Sequence, residues 1–600
     1  MSLYLFFLGA LIYCVLQFAY GSQICLAVFF VPLLWVPLIT DRLVLKYRYV
    51  YLASFLFWFV SIFWISAPHP AAIIGLFVLS GYLSFYWLLF FLSVRSAVHF
   101  FHFPVIAAVL ICWVGCEFLR NNMLGGFSFC SIEHLVYSVP VLIQIADIGG
   151  GYFVGGMIMS VGAGLGTILF ASVLSKFCPN SVLTNNADKI NVTKNVPVGV
   201  GCELPKFIGI VSDRRYGWRF IVTIIVTFLM IAGTIGYGYS TIVLKCNPFA
   251  GDLISDNRGG FELKIASLQG NAPVSVSMTN KQLTDCLKQY VDLTRVAADG
   301  GRADLDLIIW PETVCPIPYI IFRNGATYEN KLLDRDVLDR GRNFLLNLSV
   351  EVGVPILYGL STVVMDNNRN DKSQAEPLRL NSALLVVPNP PEFKSRYDKI
   401  QLVMFGEYVP FADYLPANFP LRSICQEACR GDKPVAIPLG NDIFASVNIC
   451  FESTVPHHVR GQILSLKSDG NEPALLINLS NSGWFGFANQ IDQHLATHVF
   501  RAVENRRPYV SAANCGYSAT INCYGQITNI GKRQSAESVV DRLPIQYWTP
   551  LYHYIGDIPV IICMILTIFF ILYPAYKKLK LKFFGGCCAY PRLHCFIPLG

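Results

Sequence analysis

Runs of roughly 20 apolar residues recur through the first 244 positions, and the first 40 residues contain no Asp, Glu, Lys or Arg at all. Few folds accept such a chain. Hydrocarbon offers no partner for a backbone amide, so an apolar run of this length has to satisfy its own hydrogen bonds as a membrane-crossing helix. Helices are expected near 3–20, 23–40, 49–67, 71–94, 103–120, 150–174 and 219–244, with an eighth at 554–576. A cleaved leader is the competing reading of residues 1–19. That stretch has no basic start and no small-residue cleavage site, and a second apolar run follows at once, so a retained helix is expected.

Lysine and arginine orient these helices. Arg42, Lys46 and Arg48 follow the second run, Arg95 the fourth, the residues from Lys176 to Arg219 lie between the sixth and seventh, and Lys577, Lys578, Lys580 and Lys582 follow the eighth. With alternating helices all of these fall on one side. The positive-inside rule then places both termini in the cytoplasm and residues 245–553 outside, in the periplasm if the membrane is a bacterial inner membrane. The net charge of +7 is absorbed by this anchoring, and no nucleic-acid partner is expected. Residues 176–217, rich in Asn, Lys, Pro and Gly without periodicity, read as a cytoplasmic loop, and the polar stretch 121–139 as an interfacial segment.

From 262 to 545 the pattern turns to soluble α/β. Strands are expected at 263–268, 305–310, 355–360, 381–387, 443–449, 474–479 and 509–514, and helices at 280–296, 330–352 and 492–506. That alternation favours two sheets layered between helices, an α-β-β-α sandwich. The expected division is a transmembrane domain over 1–245, an extracytoplasmic catalytic domain over 246–550, and a last helix with a basic tail over 551–600.

Three of the strand-like runs end near an ionisable residue. One closes on Cys450, one on Glu312 in Trp310-Pro311-Glu312, and Lys399 stands in Tyr397-Asp398-Lys399-Ile400. A lone cysteine is more often a small core residue. Glutamate, lysine and cysteine together suit acyl transfer through a thioester: a carboxylate takes the thiol proton, and an ammonium with a backbone N–H stabilises the oxyanion.

In this order and these contexts the three residues resemble the nitrilase, or carbon–nitrogen hydrolase, superfamily. Within it the chain resembles the bacterial apolipoprotein N-acyltransferases, on Glu117-Phe118-Leu119-Arg120, Gln269-Gly270-Asn271, Trp310-Pro311-Glu312-Thr313, Phe405-Gly406-Glu407-Tyr408-Val409-Pro410, Cys450-Phe451-Glu452, Asn481-Ser482-Gly483-Trp484-Phe485-Gly486 and the run from Arg501 to Pro508. The resemblance implies transfer of an acyl chain from a phospholipid, usually phosphatidylethanolamine, to the α-amine of a lipoprotein's diacylglyceryl-cysteine. It implies Glu312 as base, Lys399 as oxyanion-stabilising lysine and Cys450 as nucleophile. Glu407 and Glu452 match supporting carboxylates, and Phe451, Trp484 and Phe485 match substrate-contacting aromatics. No metal and no cofactor are expected.

The sequence departs from the family at Phe451, where tyrosine is usual, and after Asn271, where a tryptophan is absent. The tail 577–600 has no assigned role. Glu117 and Arg120, three apart, are expected either as a structural pair or as a contact to a headgroup or to the outer domain. Cys425 and Cys429 could pair in an oxidising compartment. Two rival functions remain: a membrane-tethered amidase with water as acceptor, and a transporter or receptor with a non-catalytic outer domain. Eight helices are excessive for an anchor, and ionisable residues are too scarce inside the helices for a transport path.

Overall fold

The computed structural model describes residues 1–41, 47–177, 214–244, 261–274, 278–299, 304–323, 335–366, 377–404, 406–409, 414, 428–486 and 489–584. Arg42, Lys46, most of the 176–217 loop, Phe405, Cys425 and the tail from 585 lie outside these residues, and so does the expected Cys425–Cys429 pairing.

Apolar helices stand where the sequence places them: Ser2–Leu16, Phe30–Thr40, Tyr47–Ser61, Ala72–His99, Val105–Asn122, Gly151–Phe177, Arg214–Ile242 and Ile558–Phe584. Among the described residues five segments are long and apolar enough to cross a membrane, namely Ala72–His99, Val105–Gly125, Gly151–Ala171, Phe220–Ile242 and Ile558–Lys580. The first three helices are shorter than expected. Fifteen residues rise only about 22 Å, against a hydrocarbon layer of about 30 Å. Each has a local cause. The chain turns at Gly21, whose φ is +75°. The second run opens as a 3-10 turn, Gln23–Phe29, and Pro37 deprives its helix of an amide donor. The third breaks into the 3-10 turn Phe63–Ser66.

The last helix, Ile558–Phe584, closes the bundle against Ala72–His99 and Val105–Asn122. Thr567 Oγ1 donates to the Ile111 carbonyl at 3.2 Å and Ser96 Oγ to that of Phe570 at 2.5 Å. The approach depends on Gly115, where a Cβ would stand 2.3 Å from Thr567 Oγ1.

The sandwich has its two sheets. β1 (Glu262–Gln269), β2 (Leu307–Ile309), β3 (Cys315–Arg323), β4 (Ile356–Asp366), β5 (Leu378–Pro388), β6 (Pro391–Asp398) and β13 (Glu537–Pro544) make the first, in the order β13-β1-β2-β4-β5-β6 with β3 also on β4. The second runs β12-β11-β10-β9-β8-β7, from β7 (Ala436–Gly440), β8 (Ile443–Ile449), β9 (Pro473–Ser480), β10 (Tyr509–Ala513), β11 (Ala519–Ile521) and β12 (Ile527–Ile530). Alternate residues such as Leu263, Ile265, Leu307 and Ile309 face Val447, Ile449, Ile477 and Leu479 between the sheets. Helices Asn280–Ala298 and Arg335–Val352 cover the first sheet. Pro456–Ser468 and Gln490–Asn505 cover the second.

That second helical layer shares its core with the membrane helices. Val459, Ile463, Val499, Phe500 and Val503 belong to one buried cluster with Phe129, Ile132, Leu135 and Val136. Polar ties reinforce it. Glu504 accepts from the Gly151 amide at 2.8 Å, at the start of a membrane helix, and Arg506 donates to Asp147 at 2.8 and 2.9 Å.

Of residues 121–139, expected at the interface, Asn121 and Asn122 end a helix and 123–139 are short turns wedged between the two parts. Their anchor is Arg120, fully buried. It pairs with Glu117, donates to the carbonyls of Phe127 at 2.5 Å and Phe129 at 2.9 Å and to Ser131 Oγ at 2.7 Å, and lies over the Trp58 ring. The pair is structural, and its effect reaches the α/β sandwich: the loop it folds brings Ser128 Oγ to 2.7 Å from the Thr454 carbonyl.

Candidate active site

Glu312, Lys399 and Cys450 each lie just beyond the C-terminal end of a strand, after β2, β6 and β8 respectively. The two sheets bring these three ends together. Lys399 Nζ is 3.3 Å from Glu312 Oε1 and 2.8 Å from Glu407 Oε1, and the Cys450 thiol stands within the electrostatic reach of all three. Glu312 is fixed on both oxygens: Asn381 Nδ2 donates to Oε1 at 2.7 Å and the Asn481 amide to Oε2 at 3.1 Å. Glu407 is oriented by the Val403 amide at 2.9 Å.

Charge in this site is one lysine between two carboxylates. Burial alone would pull Lys399 down, but Glu312 and Glu407 outweigh it and hold the ammonium well above its usual range. Burial pushes the Cys450 thiol up, and the Glu312 charge adds to it against the pull of Lys399. The resting sulfur is therefore a thiol, and a nucleophilic attack by it would need a base beside it, a place that Glu312 occupies. Alkylation of Cys450 by iodoacetamide is expected to climb about tenfold per pH unit between about pH 6 and 9. A plateau below about pH 8 would reveal a resting thiolate instead.

The sulfur is presented by a strained residue. Cys450 has φ +54°, the left-handed region that costs a non-glycine residue about 1–2 kcal/mol, and it opens the 3-10 turn Cys450–Thr454. Glu452 holds that turn. It is fully buried and faces away from the other carboxylates, accepting from the Ile449 amide at 2.7 Å, the Ile400 and Gln401 amides at 2.6 and 2.9 Å, and the Tyr397 hydroxyl at 2.8 Å. It thus ties the residue before Cys450 to the turn after Lys399. Burial works against its charge, yet His458 and these amides hold its carboxyl below the usual range.

Phe451, Trp484 and Phe485 are half-buried. Phe485 meets Trp64 of the membrane part edge-on, ring centres 4.9 Å apart, and Phe451 lies 6.3 Å from Phe129. Beside the thiol, then, the two parts of the chain form one aromatic wall. Sequence reasoning missed Asn381, which no motif marks, and Gly359 on β4, where a Cβ would stand 1.9 Å from the Pro311 carbonyl oxygen and 2.9 Å from the Glu312 Cα. Gly359→Ala must push the Glu312 turn outward; a displacement of this kind is expected to cost about 100-fold in turnover and about 1–3 kcal/mol in stability. Steady-state rates and thermal unfolding of the purified variant check both.

The class defined by this fold and site agrees with the comparisons. A carbon–nitrogen hydrolase family model matches residues 264–549, and a model of the apolipoprotein N-acyltransferase N-terminal domain matches 8–164. The chain is 26% identical over 560 residues to an apolipoprotein N-acyltransferase of Treponema denticola, covering 90% of each. It is 24% identical to one of Rhodopirellula baltica, covering 86% of this chain and 87% of that one. With one of Geobacter metallireducens it shares 27% identity over 69% of this chain and 64% of the relative. The chain belongs to the apolipoprotein N-acyltransferase family of the nitrilase superfamily.

Proposed function

We propose that this enzyme transfers an acyl chain from a membrane phospholipid, phosphatidylethanolamine being the expected donor, to the α-amine of the diacylglyceryl-cysteine that begins a lipoprotein. The observation that carries the reading is the trio of buried Glu312, buried Lys399 and half-buried Cys450, set beside an aromatic wall that the membrane helices help to build. A water-using amidase has no need of that wall.

In the first half-reaction Cys450 Sγ attacks the ester carbonyl while Glu312 takes the thiol proton. The oxyanion forms beside Lys399 Nζ and the Phe451 amide, which do not have to reorganise as charge develops. Collapse breaks the C–O bond, Glu312 returns the proton to the departing lysophospholipid, and a thioester remains on Cys450. In the second, the free amine attacks the thioester, Glu312 accepts the amine proton, and that proton goes to the departing thiolate. One site serves both lipids in turn, so the kinetics are ping-pong. Glu407 keeps Lys399 charged and in place, Glu452 fixes the nucleophile turn, and Phe451, Trp484 and Phe485 border the acyl chain.

On this reading residues 1–245 and 551–600 sit in a bacterial inner membrane with both termini cytoplasmic, and 246–550 face the periplasm. Intact-protein mass spectrometry after mixing the enzyme with phosphatidylethanolamine vesicles is the test. An added acyl mass mapped to Cys450 and discharged by a diacylglyceryl peptide is the expected result, and no adduct at Cys450 would overturn the reading.

A further inference from the structure

Three side-chain donors converge on one carbonyl, that of Cys450: Asn478 Nδ2 at 3.2 Å, Ser453 Oγ at 3.0 Å and His494 Nε2 at 3.1 Å. Ser453 Oγ and His494 Nε2 are themselves 3.0 Å apart. The three bonds are compatible when the Ser453 hydroxyl donates to the carbonyl and the His494 Nε2–H is shared between Ser453 Oγ and that same carbonyl. The carbonyl belongs to the peptide whose other side is the Phe451 N–H. A planar trans peptide points its C=O and N–H in opposite directions, so holding the oxygen fixes the aim of the amide. Donors on the oxygen also polarise the amide and strengthen it as a donor. Some such clamp is needed, because Cys450 sits at φ +54° and would relax if released.

His494 suits a holding role better than a proton-transfer role. Burial lowers it to about 4, despite its bond to the Cys450 carbonyl, and Lys399 adds to that pull. The ionisable ring packed against it is His498, 4.4 Å away and itself kept neutral by burial. His494 also rides on the helix Gln490–Asn505, whose far end caps the Gly151 helix through Glu504.

We propose that His494 is a positioning residue: with Ser453 it grips the Cys450 carbonyl and so aims the Phe451 N–H at the oxyanion. The proposal rests on Cys450 being the nucleophile. The competing role for the ring is to fill space beneath Phe129, whose centre is 6.4 Å away.

Single-turnover acylation of Cys450 by phosphatidylethanolamine, followed by intact mass, separates the two. His494→Phe keeps a ring and loses the donor; its acylation rate at saturating lipid should fall about 10- to 30-fold, the weight of one or two lost hydrogen bonds, at an unchanged half-saturating concentration. His494→Gln can place an N–H near the Nε2 position and should recover to within about 3-fold of wild type with the same pH–rate profile. Ser453→Ala, which removes the other donor with almost no change of volume, should slow acylation about 3- to 10-fold. A His494→Phe rate within about 2-fold of wild type would overturn the proposal, as would a His494→Gln variant no faster than His494→Phe. So would an unchanged rate in Ser453→Ala, a loss appearing in half-saturation rather than rate, or a lost limb of the pH profile in His494→Gln. Failure of the underlying reading looks different, since wild type itself would then carry no acyl group on Cys450.

Discussion

Cys450→Ala is expected to lose acyl-enzyme formation and acyl transfer completely, while the protein folds and inserts as before. The thiol is the one group that can carry the acyl chain between two lipids that do not meet. Removing it takes away both half-reactions, and the oxyanion stabilisers cannot substitute. The fold should survive because the turn around Cys450 is held by Glu452, Ser453, His494 and Asn478, none of which bonds to the sulfur. Cys450→Ser should be nearly as inactive, since a hydroxyl is far less acidic than a thiol and Glu312 is too weak a base for it. Wild-type transfer in Cys450→Ala would defeat the assignment.

Lys399→Ala is expected to lower acylation about 100- to 1,000-fold, the usual weight of one oxyanion donor. A second injury follows from its position. Nζ lies 3.3 Å from Glu312 and 2.8 Å from Glu407, so its removal leaves a buried carboxylate and a half-buried one without that counter-charge. One of them would take up a proton, and if it is Glu312 the base is lost. Lys399→Arg should rescue poorly, because a planar fork cannot occupy the place of a compact ammonium between them. Single-turnover rates over a pH series check this, and full turnover in Lys399→Arg would reduce the lysine to a general positive charge.

The sequence carried the strand ends that position the site. β8 was legible to the residue because 443–449 is an apolar run bounded by turn residues, and β2, β4, β5, β9 and β10 announced themselves in the same way. β6 did not: Pro-Glu-Phe-Lys-Ser-Arg-Tyr-Asp is a sheet-edge strand with polar residues on both faces, although Lys399 hangs from its end. Helix Pro456–Ser468 was hidden because it buries His458 and Gln462 alongside Val459 and Ile463. In the membrane part, Phe18, Ala19 and Tyr20 extend the apolar run past Leu16, where the helix ends; apolarity does not say where a backbone turns. Glu452 could be picked out as a carboxylate of the site, but three of its partners are backbone amides, and no spacing of side chains records those. Asn381 bonds the Glu312 side chain from 69 positions away, and Gly359 meets the backbone of Pro311, so neither contact shows as a motif.

The place of the Ile558–Phe584 helix bears on how such a protein is made. Synthesis runs from the amino end, so the helices between which it fits, Ala72–His99 and Val105–Asn122, enter the membrane long before it exists. More than 250 residues of catalytic domain are translated in between. The slot beside Gly115 therefore stays unfilled while the sandwich folds, and the bundle is sealed only by a segment that arrives last. A nascent chain arrested before residue 558 would hold a finished active site over an unfinished membrane floor. Completion of the membrane part thus waits until the whole catalytic domain has been translated.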